Sequence, residues 1–194
     1  MSLYTDIVAD IVRWTNRPDL TVEMDIAIRQ ALRAAHKAGT FYRDLVNLPL
    51  TGLATDQPTQ SIDLSAVAPT YRALALIKPT NYELRYEETH ILNLFDPDKY
   101  YKTDVFYIVG NTLTLRPAVA VPDVTLIYYR NPTLFPIASI DSWIATQHTD
   151  LVVCWAAASV LAMMNEQEIK TRVEAIAAIS LKQLIAEALY AVER

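Results

Sequence analysis

Four residues that could carry out acid–base chemistry lie close together in the segment RYEETH, residues 85–90. They are Arg85, Glu87, Glu88 and His90. If the segment is a strand, Glu88 and His90 lie on the same face, because side chains alternate between the two faces of a sheet. A carboxylate beside an imidazole could move a proton during a reaction. The same pattern is also typical of the solvent-facing side of a strand, and we prefer that interpretation.

The chain offers few ligands for a metal ion. It has one cysteine, Cys154, and three histidines, His36, His90 and His148, none of them four residues from another. Because a structural zinc ion takes about four Cys, His or carboxylate ligands, we predict no metal site. Near the end of a predicted helix, His36 is expected to cap that helix or to be solvated.

Cys154 lies in the apolar run LVVCWAAASV. A reactive cysteine needs an electropositive and partly exposed setting, so we expect Cys154 to be a buried structural thiol. A single cysteine also excludes a disulfide within the chain. The run extends to residues 151–164, which is too short to span a bilayer and predicts a buried core helix.

Two other kinds of site are excluded by the residues they require. The acidic segment FDPDKYYKTD, with Asp96, Asp98 and Asp104, lacks the glycine and the final glutamate of a calcium loop, and we interpret it as a solvated turn. The chain has only 3 glycines, too few and too scattered for a glycine-rich phosphate loop. We therefore predict no catalytic, cofactor-binding or metal-binding residue, and no enzyme activity.

The charge distribution disfavours binding to nucleic acids. There are 17 basic and 22 acidic residues, giving a net charge of −5, and no basic run. Non-specific DNA binding needs clustered lysine and arginine, so an acidic surface would let DNA pass without binding it. The first residues carry Asp6 and Asp10 and no positive region, so no signal peptide is expected.

The prolines divide the chain into three parts. Nine of the 10 lie between Pro49 and Pro136, and the segment 137–194 contains neither proline nor glycine. Since proline breaks helix interiors, the pattern predicts an α+β fold in which an α-helical bundle carries a central β-rich insertion. The predicted parts are N-terminal helices in residues 1–47, a β-rich insertion in 48–136, and C-terminal helices in 137–194. Together they would form one structural domain with an insertion.

Apolar spacing locates the helices. Helices are predicted for residues 3–14 and from Thr21, as its N-cap, to a stop with Gly39 as the C′ residue. Two more are predicted after Thr149, separated by NEQE at residues 165–168. The apolar stripe of the second helix is Ile28, Ala31, Leu32 and Ala35. That of the last helix contains Ile169, Val173, Ile176, Ala177, Ser180, Leu184, Ala188 and Val192.

The middle of the chain has the patterns of about five to seven short strands. QSIDLSAV, YRALALIK and YELRYEE partly alternate apolar and polar residues, and DVTLIYYRNP is a further strand. In VFYIVGNTLTLRP, two β-rich runs flank Gly110-Asn111, a pair suited to a two-residue II′ or I′ turn. These strands predict a small sheet or sandwich of hairpins.

Taken together, these segments resemble the head-to-tail adaptor (connector) proteins of tailed bacteriophages, and more narrowly the adaptors of podovirus-like phages. The resemblance covers roughly residues 3–190. It is carried by the opening WTNRPDLTVEMDIAIRQALRAAHKAGTFYRDL, by FYIVGNTLTLRP and VTLIYYRNPTLFP, and by IDSWIATQHTDLVVCWAAASVLAMMNEQE. Many adaptors end in an extended docking tail, whereas LIAEALYAVER still has a helical pattern, so any tail here is expected to be short.

The resemblance implies a virion structural protein at the head–tail junction, assembled in the host cytoplasm. Its subunits would form a homo-oligomeric ring, twelve-fold like the portal, that joins the portal protein to the tail nozzle or tail tube. DNA would pass through the channel without specific binding, and neither a cofactor nor a membrane is implied.

Aromatic residues are the candidates for contacts with these partners, because tyrosine is abundant, with 11 copies, and anchors protein interfaces. The candidate interface residues are Tyr100, Tyr101, Tyr107, Tyr128 and Trp143. Three alternatives stay open: another head- or tail-completion protein, a helical interaction module outside any phage, and a hydrolase built on Glu87, Glu88 and His90.

Overall fold

The structure, a computed structural model, describes residues 2–53, 59–79, 83–86, 105–117, 119, 121–134, 136 and 140–190. The helices are α1 Leu3–Thr15, α2 Thr21–Lys37, α3 Leu64–Val67, α4 Trp143–Gln147, α5 Thr149–Met163 and α6 Gln167–Tyr190. The strands are β1 Leu45–Leu50, β2 Gln60–Asp63, β3 Tyr71–Pro79, β4 Arg85–Tyr86, β5 Val105–Val109, β6 Thr112–Arg116 and β7 Val124–Arg130. The predicted α+β class is confirmed.

The chain divides into two compact units. The helical unit consists of Met1–Arg43 and Asn131–Arg194, and the sheet unit consists of Asp44–Arg130. Each unit has its own hydrophobic core. No helix in the described part of the chain is long and apolar enough to cross a membrane.

Helix α5 lies at the centre of the helical unit, where it packs against α1, α2 and α6. Nine of its 15 residues are buried, so the predicted buried core helix is confirmed. The three consecutive alanines Ala156–Ala158 are all buried, and small side chains allow neighbouring helices to approach closely. The outer helix α2 buries Ile28, Ala31, Leu32 and Ala35, the stripe that its spacing predicts.

The helix ends differ in part from the prediction. Helix α1 ends at Thr15, and its C-cap residue Asn16 has a left-handed backbone (φ 52°). Thr21 was expected to be the N-cap of α2, but Leu20 occupies that position and no side chain caps the helix. Gly39 follows the C-cap of α2 without the left-handed φ of a glycine stop. Instead, a Cβ there would lie 3.1 Å from the ring of Phe41, so the residue makes room for that ring.

The sheet unit contains two small sheets, ordered β1-β7-β3 and β2-β6-β5-β4. Among the described strands, all pairs are antiparallel except the short parallel pair of β4 with β5. The predicted hairpin is confirmed: β5 and β6 pair from Val109↔Thr112 outward, across Gly110-Asn111. Gly110 has φ 58°, and Asn111 is not among the described residues with positive φ. This combination is that of a II′ turn.

The prediction that QSIDLSAV is a strand throughout is wrong. Strand β2 ends at Asp63, and the one-turn helix α3 follows. The Asp63 carboxylate accepts hydrogen bonds from the Ser65 N–H at 2.8 Å and the Ser65 hydroxyl at 2.6 Å, and these bonds lower the pKa of Asp63. An aspartate that caps a helix competes with strand pairing, and here the cap prevails.

Candidate interaction surface

The acidic residues that suggested chemistry lie outside the described residues. They are Glu87, Glu88, Asp96, Asp98 and Asp104, and His90 lies outside with them. The described part of the chain contains no group of three or more His, Cys, Asp or Glu side chains that could hold a metal ion.

Cys154 is 4% exposed on α5, as expected for a structural thiol. Burial raises the pKa of this thiol, and the nearby Asp150 carboxylate raises it further. Since the thiolate is the nucleophilic form, both effects make Cys154 less reactive.

The candidate interface aromatics are placed in different settings. Tyr100 and Tyr101 lie outside the described residues. Tyr107 is half-buried on β5. Tyr128, on β7, is 5% exposed and packs in the core of the sheet unit with its ring centre 5.8 Å from that of Tyr71. Trp143 is half-buried in the helical unit, and its contact with a partner stays a prediction, as it does for the tyrosines.

Trp143 is the centre of an aromatic cluster at the start of α4. Its ring centre lies 5.3 Å from Phe41, 6.1 Å from His36 and 5.8 Å from His148, all edge-to-face. The Arg43 guanidinium lies 5.1 Å from the Trp143 ring centre, within cation–π distance. These contacts join the end of α2 to α4 and to the start of α5. Much of the Trp143 ring therefore packs against other residues of the helical unit.

The expectation that His36 is a solvated or capping residue is wrong. Its side chain is 2% exposed, and its Nε2 lies 2.9 Å from the Ser142 hydroxyl oxygen. The Ser142 hydroxyl also accepts a hydrogen bond from the Ala145 N–H at 3.3 Å, as the N-cap of α4. A buried polar group needs a partner. Ser142, the N-cap of α4, is such a partner for His36, although the two residues lie 106 positions apart in the chain.

A second histidine links α5 to the far end of α6. His148 precedes α5, and its Nε2 lies 3.3 Å from the Glu187 carboxylate of α6. Its side chain is 11% exposed, whereas that of Glu187 is 65% exposed. The contact therefore lies at the edge of the unit, beside the last turns of α6, and it does not have the geometry of a hydrogen bond.

Helix α6 carries apolar residues on more than one face. Val173, Ala177 and Leu184 are fully buried, whereas Ile176 is 38% and Ile179 60% exposed. The expectation that Ile169 and Ile176 share the buried stripe is wrong, because Ile169 is also 37% exposed. Regular helical spacing over so many positions does not separate a core face from a second apolar face.

A groove of about 500 Å³ runs between α1 and α6 over α5. Its lining residues include Asp10, Arg13 and Trp14 of α1, Asp150 and Val153 of α5, and Ile176 of α6. We call it the α1 groove. Trp14 is 37% exposed in it, so the groove combines an aromatic wall with charged residues.

A smaller groove of about 320 Å³ lies on the other flank of α6, between α6 and α2. Its walls include Gln30 and Ala34 of α2, Trp155 and Ala162 of α5, and Lys170 of α6. Sequence reasoning did not find either groove, because each combines residues from three helices that lie far apart in the chain.

Next to the smaller groove, α2 presents an exposed face that we call the α2 outer face. Val22 is 66% and Ile26 44% exposed, and Gln30, Arg33 and Lys37 are exposed too. The five positions fall within a narrow arc of the helix, because each residue advances about 100°. One end of this face is apolar and the other is basic.

Comparison with known proteins identifies the family. A search of curated proteins found no match. The sequence profile described as the SU10 adaptor protein matches residues 2–193, a range that includes both the helical unit and the sheet unit. The chain therefore belongs to the SU10 adaptor protein family, and it is a bacteriophage adaptor, a structural protein of the virion.

Proposed function

We propose that the protein forms a ring at the head–tail junction, which joins the portal to the tail nozzle or tail tube and extends the DNA channel. The proposed ring has twelve copies, to match a portal of that symmetry, and the adaptor is of the podovirus-like type. The single observation that carries the proposal is the family match over residues 2–193, because it includes the whole helical bundle and the whole β-rich part.

Exposed apolar residues support contacts with other subunits. In the helical unit, the exposed large apolar residues include Trp14, Val22, Ile26, Met163, Ile169, Ile176 and Ile179. They occur on α1, α2 and α6 and at the end of α5. Large apolar residues grouped on outer helices mark sites of protein association. A subunit in a closed ring needs such surfaces on two sides, because each subunit contacts two neighbours.

The sheet unit supplies candidates for contacts with the tail or with the next subunit. Its exposed apolar residues include Leu76, Val109 and Val119. Tyr107 lies on β5, the strand that ends at Val109. We propose that Tyr100, Tyr101 and Tyr107 contribute to these contacts from the sheet unit, and Trp143 from the helical unit. Tyr128 is buried in the core of the sheet unit, so its proposed contribution is to support that surface from beneath.

The net charge of −5 fits a channel through which DNA passes without binding. Twelve acidic subunits would present a field that repels the phosphate backbone. We expect no binding of the purified protein to duplex DNA at physiological salt in a gel-shift or anisotropy titration. Tight binding under those conditions would contradict the proposed passive channel.

The decisive experiment measures mass. Light scattering is recorded for the purified protein, whose subunit mass is 21.8 kDa, for the portal ring of the same bacteriophage, and for their mixture. We expect the portal peak to gain the mass of about twelve subunits, as a closed ring requires. A portal peak whose mass does not change would contradict the proposed junction, and binding to purified tail protein alone would favour a tail-completion role.

A further inference from the structure

The structure points to a specific pair of surfaces for the contact between neighbouring subunits. We propose that the α1 groove of one subunit receives the α2 outer face of the next subunit. The inference rests on the ring proposed above and names the surfaces that would close it.

The two surfaces lie on opposite flanks of α6. The α1 groove has α1 and α6 as its walls, with α5 as its floor. The smaller groove has α2 and α6 as its walls, again with α5 as its floor. The α2 outer face adjoins this second groove, because Gln30 belongs to both. A ring needs two different patches on each subunit, one for each neighbour, and the flanks of α6 provide them.

The acidic groups of the α1 groove lack enough cations to balance them. The Arg13 guanidinium pairs with the Asp10 carboxylate at 2.6 Å. Asp150 also lines the groove and is exposed, and Asp6 is exposed one turn before Asp10 on α1. Within the described residues, neither Asp6 nor Asp150 has an ion pair. The groove therefore presents one carboxylate without a cationic partner, Asp150, and a second, Asp6, lies next to the groove on the same side of α1 as Asp10.

The α2 outer face carries the opposite charge. Arg33 and Lys37 are exposed one turn apart, and neither has an ion pair among the described residues. The acids of α2, Glu23 and Asp25, are half-buried near its start, and the Asp25 carboxylate accepts a hydrogen bond from the Tyr4 hydroxyl. The basic end of the face is thus free to meet a carboxylate from another subunit.

The apolar parts of the two surfaces are complementary as well. The groove offers the half-exposed rings of Trp14 and the side chain of Ile176, and the face offers Val22 and Ile26. Apolar anchors supply affinity by leaving water, and flanking opposite charges fix the pairing and disfavour wrong partners. Two cations against two carboxylates beside an apolar patch is the pattern of a specific interface.

A charge-swap experiment tests the pairing. The groove variant is Asp6→Lys with Asp150→Lys, the face variant is Arg33→Glu with Lys37→Glu, and the combined variant carries all four changes. Loading of each variant onto the portal ring of the same bacteriophage is measured by light scattering across a range of subunit concentrations. Because like charges then oppose each other, we expect each double variant to need at least about a tenfold higher concentration than the wild type. The combined variant is expected to recover most of that loss.

The matched control is Glu166→Lys with Glu168→Lys at the α5–α6 turn, outside both surfaces. It changes the net charge by the same amount as the groove variant. It also places a lysine in the first turn of a helix, as Asp6→Lys and Asp150→Lys do. The helix dipole disfavours cations at that position, so this effect on folding is shared. The control also removes the exposed ion pair between Glu168 and Arg172, and such a pair contributes little to stability. We expect the control to load like the wild type.

The outcomes separate the two proposals. If the wild type adds no subunits to the portal, the proposed ring is wrong and the pairing falls with it. If the wild type loads but the groove variant equals the control, the ring stands and the pairing is overturned. Loss in both double variants without recovery in the combined variant also overturns the pairing. The combined variant restores opposite charges across the contact, so a loss that remains would come from defects in folding and not from repulsion between the two surfaces.

Discussion

The helical unit and the sheet unit bury their cores in different ways. In the helical unit, one helix, α5, is apolar on nearly every side, and α1, α2 and α6 surround it, each with one buried face. In the sheet unit, strands alternate between core and surface, as in the pattern of β2, where Gln60 and Ile62 are buried and Ser61 and Asp63 exposed. Because α5 fills the centre of the helical unit, the outer helices can carry a second apolar face that stays exposed. In an alternating strand, the one apolar face is buried in the core of the sheet unit.

The two kinds of core leave different surfaces for contacts with other subunits. In the helical unit, α1, α2 and α6 each combine a buried stripe with exposed apolar residues, such as Trp14, Val22 and Ile179. In the described part of the sheet unit, the exposed apolar residues are found singly on separate elements, for example Leu76 on β3 and Val109 on β5. The bundle is therefore the better candidate for the wall of a ring.

The largest expected effect comes from core truncation, which also tests whether the units unfold separately. Leu151→Ala and Leu126→Ala each remove a fully buried leucine, one from α5 and one from β7. We expect each to reduce the free energy of unfolding by about 2–5 kcal/mol. The three tryptophans, Trp14, Trp143 and Trp155, all belong to the helical unit, so their fluorescence during denaturation reports that unit.

Separate cores predict that Leu151→Ala lowers the denaturation midpoint seen by tryptophan fluorescence and that Leu126→Ala leaves it in place. Hydrogen exchange of the β6 and β7 amides should become faster in Leu126→Ala and stay unchanged in Leu151→Ala. Equal shifts of the fluorescence midpoint in both variants would contradict the comparison, since the two cores would then unfold as one.

The next largest effect is expected at Ser142. Ser142→Ala removes both the side-chain cap of α4 and the hydroxyl that contacts buried His36, so we expect a loss of about 1–2 kcal/mol in the helical unit. The control is Ser159→Ala, since the exposed Ser159 hydroxyl only donates to the Trp155 carbonyl of its own helix. Urea denaturation of both variants checks this, and an effect at Ser142 no larger than at Ser159 would refute the linkage.

In the sheet unit, a smaller effect is expected at the β5–β6 turn. Gly110→Ala places a side chain at φ +58°, where L residues are strained, although the space around it is open. We expect a cost of about 1–2 kcal/mol, visible as faster hydrogen exchange in β5 and β6. Asn111→Ala is the control, because Asn111 has no positive φ, and it should change little. Equal exchange rates in the two variants would argue against a strained turn.

The smallest effect is expected on the outer face of α6, where Ile179 is 60% exposed. Ile179→Ser should therefore change the free energy of unfolding by about 0.5 kcal/mol or less. Ala177, two residues earlier, is fully buried. Ala177→Ser should cost about 1–3 kcal/mol, because a fully packed site must take up the added volume together with a hydroxyl that can bond only to the carbonyl four residues earlier. Thermal melts of the two variants distinguish the faces, and a reversed order would mean that the buried face of α6 has been misassigned.

Sequence reasoning predicted the elements whose signals are local. The hairpin at Gly110-Asn111 follows from turn chemistry, and the stripe of α2 follows from helical period. It did not predict α4, a helix of only five residues, because such a short segment carries less than two turns of periodic signal. The prediction for His36 was wrong for a related reason. Its contact with Ser142 joins residues that lie far apart in the chain, and no local pattern indicates such a contact.

For the candidate surfaces, the sequence specifies which charged and apolar residues are available. Only the packing of the helices brings particular ones together on one surface. The net acidity, the lack of a basic run, and the order of helical and β-rich segments could all be read from the chain, because each depends on neighbouring residues. The α1 groove required the fold, because it joins Asp10, Asp150 and Ile176 from three helices. The packing of α1 and α6 against α5 selects which polar and apolar residues stay exposed together, and periodicity within one helix does not specify that choice.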